Sequence, residues 1–363
     1  MKFSRFFIPL LCFAAAVSAQ RSSSHLLNPK SLQAGLVFQM WKAGGQNGKL
    51  QEWVAPIVFN YTPNEKFGVS ILNTPTRATY TSANQSSRLL GLTDTKISTA
   101  FVLGEEKALV NFGVNLPSGK SRLDPNREVP VATTITNHAL RMPTSYFGGG
   151  WEASAGLAWA SEWSGWVIGA AMSGIYKDDY IPVAGSGKYR PGPEISLSLG
   201  ADRVLGEHDR IFGDVSYTWY GKDQLDGQEI FQADGKISLS LAGIFAPASG
   251  QISVVLQNRF KRKSPFALNN TLSLSYGNEL DFAAELAREN GKEQAWLVVT
   301  NLLVHGANED GLGKALLFGF GPGWRGHVSA PLQLEALARY AFGKLNDNSI
   351  WGIEANLAVV WEF

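Results

Sequence analysis

The sequence is short of cysteine, of net charge and of long apolar runs. Its one cysteine, Cys12, lies among the first nineteen residues, so a chain cleaved after Ala19 has no disulfide, no thiol nucleophile and no cysteine metal ligand. Lysine and arginine number 32 against 31 aspartates and glutamates, a formal net charge of +1. With no basic cluster, that balance argues against nucleic acid as a partner. Beyond the N-terminal segment no apolar run approaches the ~20 residues a membrane helix requires. A linker, a low-complexity tract and a composition shift are also missing between Gln20 and Phe363, so residues 20–363 read as one domain.

The first nineteen residues have the form of an export signal. Lys2 and Arg5 give a charged start, Phe6 to Val17 an apolar core, and Val17-Ser18-Ala19 the small residues that a signal peptidase reads. Residues 1–19 are therefore expected to be a signal peptide. Leu11 stands where a lipoprotein signal needs Gly or Ala, which speaks against a lipid anchor at Cys12.

What the chain has in quantity is period-two alternation. Leu32, Ala34, Leu36, Phe38 and Met40 form one apolar row, Trp53, Ala55, Ile57, Phe59 and Tyr61 another, and similar rows recur to the end. In the last, Trp351, Ile353, Ala355, Leu357, Val359, Trp361 and Phe363 alternate with a mixed set containing Glu354 and Glu362. One face suits oil and the other tolerates water. A β-sandwich also alternates, but two further features point to a membrane. Aromatics sit at row ends (Trp53 and Tyr61, Trp151 and Trp159, Trp351 and Phe363), where a bilayer's two interfaces hold aromatic girdles. Connections also alternate in length: short at 63–65, 104–106, 162–164, 246–250 and 290–293, long at 73–91, 117–150, 177–193, 222–235 and 262–269. The expected fold is all-β, an antiparallel transmembrane β-barrel of a bacterial outer membrane. The best trace has 16 strands and the range is 12 to 16, since Leu272 to Glu289 reads as one strand or two. The first and last strands must pair so that no edge meets lipid.

Enzymatic chemistry finds little support. His25, His138, His208, His305 and His327 are scattered, and no local signature assembles a nucleophile, base and orienting acid. Leu116 to Ser121, "LPSGKS", has Val114 where a phosphate loop needs its first glycine. No cofactor or metal is expected. The candidate residues instead line a lumen. The connection 117–150 is long enough to fold into the barrel mouth as a constriction lined by Arg122, Arg127, His138 and Arg141. Charged residues on the polar parity of strands (Arg210, Arg259, Glu279, Asp281, Glu285, Glu335, Arg339 and Glu354) belong inside, because an arginine facing mid-bilayer lipid costs about 2–4 kcal/mol.

Gly91-Leu92-Thr93-Asp94-Thr95, followed by Leu116-Pro117-Ser118-Gly119-Lys120, resembles the "GLGDT … LPTGK" pattern of outer-membrane proteins of the meta-pathway of phenol degradation family, which are related to long-chain fatty acid and aromatic-hydrocarbon channels. Thr93 replaces that pattern's glycine and Ser118 its threonine. The resemblance is best over residues 50–160. It implies passive transport of small, hydrophobic or aromatic solutes. The ending at Trp361 and Phe363 is similar to the signal that barrel-assembly machinery recognises, which makes that machinery and outer-membrane lipid the expected partners. The alternative function is a structural or surface-interaction barrel with a plugged lumen and partner-binding external loops.

Overall fold

The computed structural model describes residues 30–44, 48–64, 66–82, 86–104, 107–206, 209–247, 250–261, 266–267, 277–289, 294–307 and 313–363. The expected signal peptide at 1–19, His25 and His208 lie outside them, as does the first part of the ambiguous stretch 272–289.

The alternating rows form one closed antiparallel wall of 16 strands. In chain order they are β1 (Lys30–Ala43), β2 (Lys49–Val54 continuing as Ile57–Asn64), β3 (Phe67–Asn73 and Pro75–Thr81), β4 (Ser86–Leu92 and Thr95–Leu103), β5 (Ala108–Leu116), β6 (Glu152–Trp163), β7 (Trp166–Lys177) and β8 (Glu194–Val204). There follow β9 (Arg210–Tyr220), β10 (Lys236–Phe245), β11 (Gly250–Lys261), β12 (Glu279–Glu289), β13 (Gln294–His305), β14 (Ala315–Ser329), β15 (Leu332–Leu345) and β16 (Asn348–Glu362). Each pairs with the next, and β16 returns to β1 from Ser31↔Glu362 to Ala43↔Ile350. The apolar rows point outward: Leu36, Trp53, Leu157, Leu199, Leu241 and Leu357 are among the large apolar side chains left exposed. In water such a belt would be untenable, and in a bilayer it is the lipid-facing surface. Both ends of the described wall, Lys30 and Glu362, lie at the rim with the short turns, which is the periplasmic rim in such barrels.

Three neighbouring strands are interrupted at one level. Pro56 has no N–H for the ladder and breaks β2. Beside it β3 breaks at Thr74, and β4 carries an extra residue: Leu72 pairs with Lys96 but Pro75 pairs with Leu92. The result is a bulge at Thr93-Asp94. The stretch 73–91, expected as a long loop, is instead the outer half of β3 and β4 joined by a short connection. Its pattern misled because the faces change character there: Arg77, Thr79 and Arg88 point outward, while Ala78 and Leu89 are fully buried inside. Parts of three other long connections pair into a small external sheet, Tyr189–Arg190, Lys222–Leu225, Gln228–Gln232 and Phe266–Ala267.

The seam ends on aromatics. The Phe363 N–H donates to the Lys30 carbonyl (3.1 Å), and its ring lies 6.3 Å from Phe59 and 5.5 Å from Trp361. Deleting Phe363 is expected to remove most of the barrel from the outer-membrane fraction while leaving export intact. Heat-modifiable gel migration of that fraction checks this, and wild-type amounts of folded barrel would contradict it.

Candidate functional site

The site begins where β5 falls short. β5 stops at Leu116 while β4 runs on to Ser86, so the outer half of β4 lacks a strand partner on that side. The chain that leaves β5 fills the edge: the Lys120 N–H donates to the Leu92 carbonyl (3.0 Å) and the Asp94 N–H to the Phe147 carbonyl (3.0 Å). The bulged Asp94, almost fully buried, then ties both ends of the loop together. Its Oδ1 accepts from the Gly119 N–H (2.8 Å) and its Oδ2 from the Gly149 N–H (2.7 Å). Thr95 completes the root, its N–H donating to Ser118 Oγ (2.9 Å) and its hydroxyl 2.7 Å from the same oxygen. Gly119 must be glycine here, since a Cβ would strike the Phe147 carbonyl and the Asp94 carboxylate. The two short sequence patterns thus meet as one joint at the loop's base.

From that joint the loop folds inside the barrel. The short helix α1 (Val129–Ile135) is followed by a single 3-10 turn, His138–Leu140. Val131, Ile135, Ala139, Leu140, Met142 and Phe147 are buried against the inward side chains Trp41, Leu50, Ala78, Leu89, Leu303, Leu317 and Ile350. An inward apolar cluster of this kind needs a cover, and the loop supplies it. Polar contacts fix the register. Gln39 Nε2 and Trp41 Nε1 both donate to the Leu140 carbonyl (2.9 Å each), and the Thr144 N–H donates to Glu52 Oε2 (3.3 Å) while its hydroxyl lies 3.0 Å from that of Thr76. One residue beyond Leu140, Arg141 reaches the other way, to Glu279 Oε1 and Asp281 Oδ2 on β12 (2.5 Å each). Burial works against its charge, but the two carboxylates outweigh that and raise its pKa further. Its backbone is left-handed (φ 48°), a conformation a non-glycine residue holds only when its surroundings impose it. Residues 140 and 141 therefore strut the lumen from β1 to β12.

The expected lining residues separate into groups. Arg141, Glu279, Asp281 and Arg259 come together, with Arg259 Nη1 2.9 Å from Glu279 Oε1. His138 lies close enough to Lys261, Glu279 and Arg259 to feel their charge, and confinement followed by Lys261 pushes its pKa down to about 4, so it is neutral at pH 7. Arg122 and Arg127 are exposed on the outer part of the loop, away from the strut. Arg210 pairs with Asp202 near the periplasmic rim, Arg339 with Glu354, and Arg325 with Glu285 (3.2 Å), while Glu335 faces Arg325 across β14 and β15. Asp94, Gln39, Trp41, Glu52 and Thr144 carry no motif that marks them in the sequence as parts of this seat. The one available signal was Glu52, an isolated acid on the inward parity of an otherwise apolar stretch.

The lumen has two unlike walls. The loop rests on the apolar side, whereas β8 to β11 present Ser196, Thr218, Ser216, Ser238, Ser240 and Gln257 inward. At the outer end of that polar wall Lys236 on β10 and Lys261 on β11 are direct cross-strand partners, and Lys236 Nζ lies 5.9 Å from the Tyr220 ring centroid. Nearby carboxylates are already engaged: Glu194 by Lys177, Glu279 by Arg141 and Arg259, and Asp281 by Arg141.

A closed antiparallel wall, an outward apolar belt with aromatic ends and a charged interior define an outer-membrane β-barrel. No family model and no curated protein matches the chain. Solved structures similar to it include an outer membrane channel from Pseudomonas putida F1 (11% identity over 93% of this chain and 97% of that one, TM-score 0.38) and the CymD monoaromatic hydrocarbon channel (10% identity, 96% and 93%, TM-score 0.49). A third is OccAB4 of Acinetobacter baumannii (8% identity, 92% and 98%, TM-score 0.49).

Proposed function

We propose that this barrel is a passive channel for small molecules, hydrophobic or aromatic ones first, and that the strut at His138 to Met142 is its constriction. The observation that carries the reading is that one loop crosses inside the closed wall, held by Leu140 on one side and Arg141 on the other. A wall of 16 strands encloses more space than its own side chains fill. A loop seated on an apolar inner surface narrows that space and gives an apolar solute a surface to cross, opposite a hydroxyl-lined wall that keeps water in the passage. The resemblance of the root motifs to the phenol meta-pathway family supports this solute class. Single-channel recording in planar bilayers, with and without neutral aromatic solutes, tests it. Discrete conductance steps that such solutes block are expected, and a barrel closed at every voltage, or open but indifferent to them, would overturn it.

The lysine pair makes a second, ionic expectation. With Lys236 and Lys261 facing each other across β10 and β11, the outer lumen favours anions. The double variant Lys236→Glu/Lys261→Glu should change the sign of the reversal potential in a salt gradient, and an unchanged sign would remove this pair from the ion path.

A further inference from the structure

On six adjacent strands, β15, β16 and β1 to β4, the outward apolar row stops before the strand does, and on all of them but β16 a cation follows it. Lys344 succeeds Phe342 on β15, Lys42 succeeds Met40 on β1, Lys49 lies beyond Trp53 on β2, Arg77 succeeds Pro75 on β3 and Arg88 succeeds Leu90 on β4. Lys42, Arg77, Arg88 and Lys344 are exposed. The register sets Lys42 directly opposite Lys49, while Arg77 is opposite Trp53, Arg88 is opposite Thr79, two residues along from Arg77, and Lys344 is opposite Ser349 of β16. No ion pair neutralises any of the five among the described residues. Glu52, Glu335, Glu354 and Glu362, the glutamates of these strands, have the inward parity. On the far side of the barrel the apolar row runs to the strand end instead, as at Tyr176, Trp219, Phe260 and Val304.

Like charges directly opposite on a sheet face repel, as Lys42 and Lys49 do here, and that repulsion, with three further cations along the same outer edge, carries a cost that an anion would relieve. Its level selects the anion. The arc sits at the outer edge of the lipid-facing belt, Arg77 level with the aromatic pair Phe38 and Trp53 (centroids 4.5 Å apart) and Lys42, Lys49 and Arg88 beyond it, at the height of outer-leaflet headgroups. We propose that this arc binds the phosphate groups of a phosphorylated lipid of the outer leaflet, with the lipid's acyl chains against the apolar row below. Arginine forks and lysine ammonium groups both suit phosphate oxygens.

The probe is lipid A bearing two phosphates, added to the purified mature barrel in detergent and followed by native mass spectrometry, beside the same lipid with its phosphates removed. The wild-type barrel is expected to retain the phosphorylated form alone, and millimolar inorganic phosphate is expected not to displace it. Each cation neutralised among Lys42, Arg77, Arg88 and Lys344 should weaken retention about five-fold at low salt. A control variant, Lys66→Gln/Lys107→Gln at the opposite rim, should retain the lipid normally. Equal retention of the dephosphorylated lipid, displacement by free phosphate, or equal loss in the control variant would each overturn the proposal. The lipid comparison needs only the wild-type barrel, so it decides even where a multiple variant does not fold.

Discussion

Removing residues 124–146 should raise the single-channel conductance roughly two-fold or more, because a wall of this strand number without an inward loop encloses an open aqueous channel. The deletion takes out α1, the 3-10 turn and the strut at Leu140 and Arg141. It spares Gly119, Phe147 and Gly149, so the joint around Asp94 can still close the gap beside β4. The strands themselves keep their pairing, which gives a clean readout: a folded, heat-modifiable barrel with larger steps. Solute block should weaken along with the gain in conductance, because the apolar inner surface would lose its cover. Conductance equal to that of the intact barrel would mean that the loop does not set the narrow point.

Asp94→Ala should release the loop more gently. The substitution removes two charge-assisted hydrogen bonds from a nearly fully buried carboxylate and strands the Gly119 and Gly149 N–H groups. Bonds to a charged partner contribute about 1.5–3 kcal/mol each, so the seated loop should lose on the order of 3 kcal/mol or more. The wall is not expected to melt, since its ladder is untouched. The expected signature is local: faster amide exchange and protease cutting between 117 and 151, together with noisier channel currents. Asp94→Asn, which retains one strong acceptor, should fall between the two. Loop protection unchanged in both variants would contradict the role given to this residue.

Much of the wall was legible in the sequence, for a physical reason. A bilayer demands apolar side chains at every second position on every strand, and that demand writes itself into the chain from Leu32 to Phe363. It ceases where the wall rises out of the lipid's apolar core. At 73–91 the outward positions become Arg77, Thr79 and Arg88, the strands persist, and the pattern that announced the others is gone. The loop's inward fold could be expected from length alone, but its seat could not. Gln39, Trp41 and Thr76 lie on strands distant in sequence from Leu140 and Thr144, and only the closed register brings them to one place. For the same reason Arg122 and Arg127, as cationic as Arg141 and on the same loop, stand outside while Arg141 reaches two carboxylates of β12.

The loop from Val129 to Phe147 is seated inside the wall, and a cross-link tests this most directly. Thr76 and Thr144 have hydroxyl oxygens 3.0 Å apart, one on the inner face of β3 and the other on the loop. Cys12 lies in the expected signal peptide, so the mature chain offers no competing thiol. In the variant Thr76→Cys/Thr144→Cys, mild oxidation of the folded barrel should close a disulfide in most molecules and leave little free thiol for a maleimide probe. Two thiols that stay reduced and react fully with the maleimide would show that the loop lies elsewhere.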